Sequence, residues 1–440
     1  MRGAVRSVLP ALQVPTPRVQ QFVDKVKLSA TPPQFLFPTV ADSTHREIEN
    51  AMVIGGGPAG LAAAIKLAER GIQVVVLEMR TPDYSRPHHL NAREDTIHSL
   101  RDLGVYEQIR QSSGWHEHPV CESTWTPLHG QADLTLAGES VGQIRISDVE
   151  RALYAKTQSL GVLFLEGQTA QLAAGPDGMY SITAQSVAGG PAEAMGQPDL
   201  VVVADGSNSA TRKALGIPFL EESSPRYYLG ALVNKPIGPD FRKMGMHEGD
   251  ELFHMMATGH SKYPSTWISV EGSPSLQELS PEERNRYLAE RGSVLIGQKI
   301  APEDIGWGSG QITVVQNRRA EECTAGSNVL LVGDALRTGS VWVSGGLNLA
   351  LTTDIYNLEQ VVDSINIQGR SREDALETYD WRSTMATKAW HVAGSDELEG
   401  RVKELEDGVT YACWGTDGQQ AGAPAPLAVG EAVQAAKGPE

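Results

Sequence analysis

Gly55, Gly57, Gly60 and Glu78 are the residues whose types and spacing speak most directly of chemistry, and that chemistry is the binding of a dinucleotide. Gly55 permits a tight turn, Gly57 lets a pyrophosphate approach bare backbone, and Gly60 lets a helix pack closely on the preceding strand. Glu78 follows at about the 20-residue spacing from which a carboxylate accepts hydrogen bonds from a ribose diol. These groups work only if the chain around them has the right form. Residues 52–54 are a short apolar run suited to a buried parallel strand, and Leu61, Ala64, Ile65 and Ala68 recur at helical spacing just after the glycines. A second apolar run, 74–77, ends at Glu78. Together they form a βαβ unit, in which the free N–H groups that open the helix and the positive end of its dipole face the phosphates.

The chain has 440 residues, 40% hydrophobic and 21% charged, enough to bury a sizeable core and to suit two or three closely joined domains. Acidic residues outnumber basic ones 54 to 37, giving a formal charge of −17. With no Lys/Arg-rich block to offset it, that balance disfavours nucleic acid or an anionic membrane surface as the main partner. Cys121, Cys323 and Cys413 are far apart, so no disulfide framework is implied and a reducing, cytoplasmic setting is expected. No apolar run approaches the roughly 20 residues of a membrane span. The N-terminus carries Arg2 and Arg6 but lacks the apolar core and cleavage site of a signal peptide.

Patterning along the chain predicts an α/β protein: a Rossmann-like dinucleotide-binding domain with an inserted, mostly antiparallel β-sheet domain, expected to form the substrate pocket, and C-terminal helices. Residues 1–48 read as a proline-rich extension with a short helix near 19–26. Residues 49–225 and 316–395 form the discontinuous nucleotide-binding domain, 226–315 the substrate-binding sheet, and 396–440 a C-terminal helix and a disordered tail from Gly415. Helices are expected at 95–109, with Leu100, Leu103 and Val105 facing the core, and at 147–160, with Ser147 as N-cap and Glu150 three residues on. Strands are expected at 162–165, 201–203 and 329–332, with a hairpin strand near 179–183 in the Gly/Pro/Ala-rich stretch 173–198. Two late helices are expected at 346–362 and 372–391.

Two later segments specify the nucleotide. Asp205-Gly206-Ser207-Asn208-Ser209-Ala210-Thr211-Arg212 and Gly333-Asp334-Ala335 each follow an apolar strand. With the glycine turn they resemble, in order and separation, the three fingerprints of the class A flavoprotein monooxygenases, the single-component aromatic-hydroxylase type. The resemblance covers residues 50–390 or so. Within that superfamily, Glu78-Met79-Arg80, Ser85-Arg86 and Thr96-Ile97-His98-Ser99-Leu100 resemble the flavin domain of MICAL-type monooxygenases, and Gly333-Asp334-Ala335-Leu336 is similar to that family's GDSLL. The resemblance implies a Rossmann-like FAD-binding domain of the glutathione-reductase-related (GR2) type, FAD as cofactor, and NADPH or NADH as a transient reductant docking in a shared cleft. It implies Gly55, Gly57, Ala59, Gly60, Glu78, Met79 and Arg80 at the ADP half, Asp334 at the ribityl and pyrophosphate region, and Gly346, Leu347 and Asn348 along the isoalloxazine edge. Arg86 and His88 fall in the loop that approaches the ring in that family, where an asparagine beside the flavin stands at the position of His88. They are the catalytic candidates. Imidazole exchanges protons near neutral pH, so His88 and His89 either act near the flavin or are hydrogen-bonded loop residues. Arg212 is either a nicotinamide-nucleotide contact or part of an internal salt bridge, and Arg93 either meets the flavin or caps nearby carbonyls.

The chain departs from the aromatic hydroxylases at Arg337, Val341 and Ser344, where they carry a histidine, a proline and a glycine. Arg337 keeps a positive charge available for phosphates, and Trp342 either stacks or packs. The resemblance implies an FAD-dependent monooxygenase that uses a nicotinamide and oxygen, through a flavin C4a-hydroperoxide, to oxygenate a small organic molecule such as a secondary metabolite. The protein's share is to bind the cofactor, exclude water and orient the substrate. The altered segment 337–344 favours an alternative, a redox-neutral cyclase with FAD as scaffold, as in relatives of this fold that close polyketide rings, including by 4+2 cycloaddition. Other constellations are weaker. His116, His118 and Cys121 lack a convincing fourth ligand and read as surface residues, so no metal is expected. Gly306, Gly308 and Gly310 read as a loop, and Tyr379 and Arg382 as packing and surface residues.

Overall fold

The computed structural model describes residues 47–81, 89–113, 140–234, 244–248, 251–258, 265–296, 298–306, 312–339 and 345–406. The expectations for the 19–26 helix, Arg86, His88, His116, His118, Cys121, Gly308, Gly310, Val341, Trp342, Ser344 and the tail from Gly415 concern residues outside these.

The first strand, β1 (Asn50–Ile54), is buried at every position, and the chain turns through the glycines into α1 (Pro58–Glu69) and β2 (Gln73–Glu78). Pro58 suits the first helical position, where a missing N–H loses no partner. Next come β3 (His89–Arg93), α2 (Glu94–Asp102), α3 (Tyr106–Ser113), β4 (Ser140–Arg145), α4 (Ile146–Ser159) and β5 (Leu163–Glu166). β6 (Gln168–Ala174), β7 (Tyr180–Ser186) and β8 (Glu193–Gly196) make a small antiparallel sheet before β9 (Leu200–Val203) and α5 (Ala210–Ala214). After β10 (Phe219–Glu221) comes an antiparallel set, β11 (Arg226–Val233), β12 (Met244–Glu248), β13 (Glu251–Thr258) and β14 (Ser265–Gly272), then α6 (Pro281–Ile296) and β15 (Ile312–Val315). The chain closes with β16 (Arg318–Ala320), β17 (Thr324–Ala325), β18 (Val329–Leu331), β19 (Arg337–Thr338), α7 (Gly345–Leu351), α8 (Thr353–Asn366) and α9 (Arg372–Glu406).

Two layers follow from two kinds of strand. The six-stranded sheet runs β17-β18-β9-β1-β2-β5 and is parallel except at β17. Its central strands are buried on both faces, which is why β1, β9 and β18 read as unbroken apolar runs rather than alternating ones. Leu61 and Ile65 of α1, Leu100 of α2, Leu153 of α4 and Leu358 of α8 pack into the same core. The five-stranded antiparallel sheet runs β12-β13-β14-β11-β15. It alternates: Leu229, Ala231, Phe253, Ile268 and Val270 meet Leu288 and Ala289 of α6 in a second core, and the intervening residues face the other way.

Three helix expectations need correction. The helix expected at 95–109 is two, because Gly104 adopts φ +70 and the Gly104 and Val105 amides bond back to Arg101 and Leu100, closing α2 with a left-handed cap. Leu100, Leu103 and Val105 are nonetheless buried as expected. Ser147 does not cap: β4 runs straight into α4, Arg145 holds the cap position with no side-chain bond, and Ser147 lies buried in the first turn. The helix expected at 346–362 breaks at Thr352, whose Oγ1 donates back to Asn348 O at 2.8 Å.

The registry of β1 with β9 is held at one end by Asp199. Its Oδ2 accepts from the Glu49 amide (3.0 Å), the Asn50 amide (3.1 Å) and Asn50 Nδ2 (2.6 Å), while its own amide donates to Asn50 Oδ1 at 3.0 Å. Asp199→Ala should lower the unfolding free energy by about 2–4 kcal/mol, because buried donors lose their acceptor. Urea denaturation measures this, and a loss below about 1 kcal/mol would show that other groups hold the registry.

Candidate cofactor site

The glycine turn has the geometry its residue types predicted. Gly55 sits at φ +107, where a Cβ would collide with Ala204 O, and its amide donates to Leu77 O at 2.8 Å. A Cβ on Gly60 would collide with Gly55 O. Gly57 differs: a Cβ there would meet nothing within 4 Å, so its backbone borders open space. α1 therefore begins against the strand ends with no acidic residue in its first turn and its free N–H groups directed at an approachable spot.

Glu78, 8% exposed at the end of β2, is tied to that turn. Its Oε2 accepts from the Gly56 amide at 2.6 Å and its Oε1 from the Arg80 amide at 2.8 Å. A carboxylate has about four acceptor positions, so these bonds orient Glu78 and leave capacity for a diol. Met79 and the Arg80 side chain are exposed beside it.

The third fingerprint arrives from the other side of the sheet. Gly333 adopts φ +60 with its Cβ position 2.9 Å from the Ala59 side chain, which places the turn after β18 against the start of α1. Asp334 is solvent-accessible, yet the surrounding protein desolvates its carboxyl enough to raise it above the usual carboxylate range, with Arg337 pulling it down and Asp354 pushing it up. An accessible acid in so dense a surround fits the wall of a binding cleft. A Cβ on Gly346 would lie 3.9 Å from Asp334 Oδ1, so α7 opens on the same cleft. Leu347 packs against the main core, and Asn348 is buried, its Oδ1 accepting from Thr96 Oγ1 of α2.

The structure thus brings Gly55, Gly57, Ala59, Gly60, Glu78, Asp334 and Gly346 together; Arg86 and His88 lie outside the described residues. Arg337 corrects the expectation of a charge available to phosphates: it is 2% exposed and gives Nη2 to Asp354 at 2.6 Å. Asp354, which no motif marked, was detectable only as an acid set among the apolar residues Leu349, Leu351 and Ile355. Arg212 is also internal. Its Nη1 donates to Ala335 O at 3.0 Å, which ties the second fingerprint to the third through a carbonyl rather than a carboxylate, and its guanidinium lies 3.4 Å from the ring centroid of Phe219 in β10. Burial lowers its pKa, as it does that of Arg93, which stands at the N-cap position of α2 with Nε 3.6 Å from Asp95. Asp205 accepts from the Thr211 amide at 3.0 Å, and its buried Oδ1 has no hydrogen-bond partner among the described residues. Tyr379 packs as expected, its hydroxyl donating to Leu331 O at 2.5 Å. Further out, α9 braces β19: His391 bonds Glu222 at 2.7 Å and Thr338 O at 2.8 Å, and Trp390 closes over Gly339.

An open backbone at Gly57, an acid-free helix start, an oriented Glu78 carboxylate and the unmatched Oδ1 of Asp205 fit a dinucleotide with a central pyrophosphate and hydroxyl-bearing chains on either side of it. Among the described residues no group of three or more His, Cys, Asp or Glu could hold a metal, and no helix is long and apolar enough to cross a membrane.

Comparison with known proteins names the dinucleotide. The family model described as an FAD binding domain matches residues 49–392, and the chain belongs to that family. A 3-(3-hydroxy-phenyl)propionate/3-hydroxycinnamic acid hydroxylase of Mycolicibacterium smegmatis is 22% identical over 354 residues, covering 75% of this chain and 57% of the relative. The chain therefore spans little more than half the length of that curated relative. Among solved structures, p-nitrophenol 4-monooxygenase PnpA from Pseudomonas putida DLL-E4 aligns with a TM-score of 0.63 at 20% identity, over 82% of this chain and 93% of its own. The Diels-Alderase PyrE3 of pyrroindomycin biosynthesis aligns with a TM-score of 0.62 at 21% identity, over 82% and 76%. At these identities the structures share the fold of this chain.

Two glycines separate cofactor binding from folding. Gly57→Val should leave a folded protein that retains no FAD on desalting, because its side chain fills open space that the pyrophosphate needs, whereas Gly60→Ala should lower the melting temperature of the apoprotein. Flavin absorbance and thermal melts read the two outcomes, and full FAD occupancy in Gly57→Val would refute the placement of the phosphates.

Proposed function

We propose that the chain is an FAD-dependent monooxygenase that takes electrons from NADPH or NADH and transfers one oxygen atom of O2 to a small aromatic substrate. The observation that supports this reading is that the Gly57 turn, tied to Glu78, and the Gly333–Asp334 turn, set against Ala59, adjoin one another at the start of α1 in a member of the FAD binding domain family. Bound FAD supplies the redox and oxygen chemistry. The chain's own part is binding and orientation: the α1 start and Gly57 receive the pyrophosphate, Glu78 the adenosine ribose, and Asp334 the ribityl side, with Met79 and Arg80 flanking the adenosine end. Gly346, Leu347 and Asn348 run along the ring, Asn348 being fixed by Thr96. Arg86 and His88 enter as ring-facing residues on the family resemblance alone. A cytoplasmic setting, where reduced nicotinamide nucleotides are supplied, suits this chemistry.

The substrate surface is read from the face of the antiparallel sheet that turns away from α6. There Tyr228 Oη accepts from Trp267 Nε1 at 2.8 Å, and Gly230 leaves room for the indole to lie on the sheet. The charged side chains described on that face, Arg226 and Glu271, pair at 2.8 Å. A flat aromatic wall whose charges are already matched suits stacking of a ring, in keeping with relatives named as acting on phenolic acids and a nitrophenol.

The likeness to PyrE3 supports a second reading, a cyclase that keeps FAD as scaffold. Anaerobic mixing of the purified flavoprotein with NADPH or NADH, with and without phenolic acids, should bleach the visible flavin absorbance, and admitting labelled O2 to the reduced protein with substrate should place one labelled oxygen atom in the product. A flavin that stays oxidised under all these conditions would sink the monooxygenase reading and leave the cyclase.

A further inference from the structure

A fully buried ion pair adjoins the Gly333–Asp334 turn. Asp354, at the start of α8, is 0% exposed and Arg337, on β19, 2%. One carboxylate oxygen of Asp354 accepts from Arg337 Nη2 at 2.6 Å and the other from the Gly333 amide at 2.7 Å. Gly333 is left-handed at φ +60 and stands against Ala59, so it has no side chain with which to fix itself; the carboxylate does so from outside the turn. Stability is a weak reason for such a pair, because an apolar replacement of equal volume is often neutral or better. The Nε and Nη1 atoms of Arg337 have no hydrogen-bond partner among the described residues, so one carboxylate does not use up the cation. Its charge also acts on Asp334, opposing the effect of Asp354.

We propose that Asp354 and Arg337 are positioning residues of the cofactor site: Asp354 holds the Gly333 turn that aims Asp334 into the cleft, and Arg337 supplies the charge that lets this second carboxylate lie close to a bound pyrophosphate. The proposal rests on the FAD reading. Without Arg337, Asp334 and the buried Asp354 both add negative charge close to the dinucleotide's anion, and among the described residues Arg318 is the other cation that acts on Asp334. Without both charges the repulsion disappears although the shape is no better held. That difference separates a charge-balancing role from simple packing.

The test is a double-mutant cycle read as the FAD dissociation constant, by quenching of flavin fluorescence on apoprotein, with apoprotein melts to show that each variant is folded. Arg337→Met should weaken FAD binding by about tenfold or more, Arg337→Lys by no more than about threefold since it keeps the charge, and Arg337→Met with Asp354→Asn should recover most of the loss. A Kd for Arg337→Met within about threefold of wild type, or a double variant that binds no better than Arg337→Met, overturns the proposal. Wild-type apoprotein that fails to bind FAD would overturn the cofactor reading and this inference with it, an outcome distinct from the other two because it appears before any variant is made.

Discussion

Everything at the site depends on how closely α1 approaches the strand ends. Gly60 lies where a Cβ would strike the Gly55 carbonyl, and Gly55 lies where a Cβ would strike Ala204 at the end of β9. With hydrogen atoms in place of side chains, the helix start drops onto the edge of the parallel sheet between β1 and β9. That one approach puts the unpaired N–H groups of α1 in the cleft, brings Gly56 within reach of Glu78, and leaves Ala59 as the surface on which Gly333 rests. Move the helix outward by the width of a methyl group and all three relations fail together.

The remaining parts are held by polar bonds that cross long stretches of sequence and mostly end on backbone. Glu78 takes the Gly56 amide, Asp354 the Gly333 amide, and Arg212 gives to the Ala335 carbonyl, while Thr96 pins Asn348 from another helix. The bonds of Asp354, Arg212 and Thr96 are buried, so leaving a partner unmatched there would cost its full desolvation. What these bonds fix is the shape of turns rather than the pose of a reactive side chain. Such an arrangement suits a site whose chemistry is brought in by a cofactor and whose own task is to hold backbone donors in place.

How much of this was legible in the sequence follows from how local each signal is. The β1–α1–β2 unit was readable because its evidence lies within a few turns of chain: a change of hydrophobic period, glycines with separate steric reasons, and an acid at a fixed distance. The helix breaks at Gly104 and Thr352 were hidden because one glycine or one threonine inside an apolar helical pattern is commonly tolerated, and only the left-handed φ at Gly104 and the bond from Thr352 to Asn348 reveal a stop. Ser147 misled because a capping pattern presumes a loop before the helix, and here a strand feeds straight in. Arg337 was misread for a different reason. Its charge was evident, but its direction depends on Asp354, and no pattern in sequence says that two residues with a helix between them will meet.

Holding a flavin and using it are physically separable, and on the proposed reading this chain divides the two between its layers. The parallel layer supplies backbone donors and oriented carboxylates, which bind a dinucleotide whatever reaction follows. On the proposed reading, exclusion of water and placement of a substrate over the ring would fall to the other layer, where alternation sends Leu229, Ile268 and Val270 into the core under α6 and turns Tyr228, Trp267 and Glu271 the opposite way. On that face the indole is seated by the absence of a side chain at Gly230 and the carboxylate is neutralised by Arg226. A ring seated there would gain stacking energy without displacing an ion pair, whereas a charged group would have to compete with one. Selectivity on the proposed substrate surface would therefore be set by shape and aromaticity, and a monooxygenase and a cyclase could share the flavin seat while differing only in what this face presents to it.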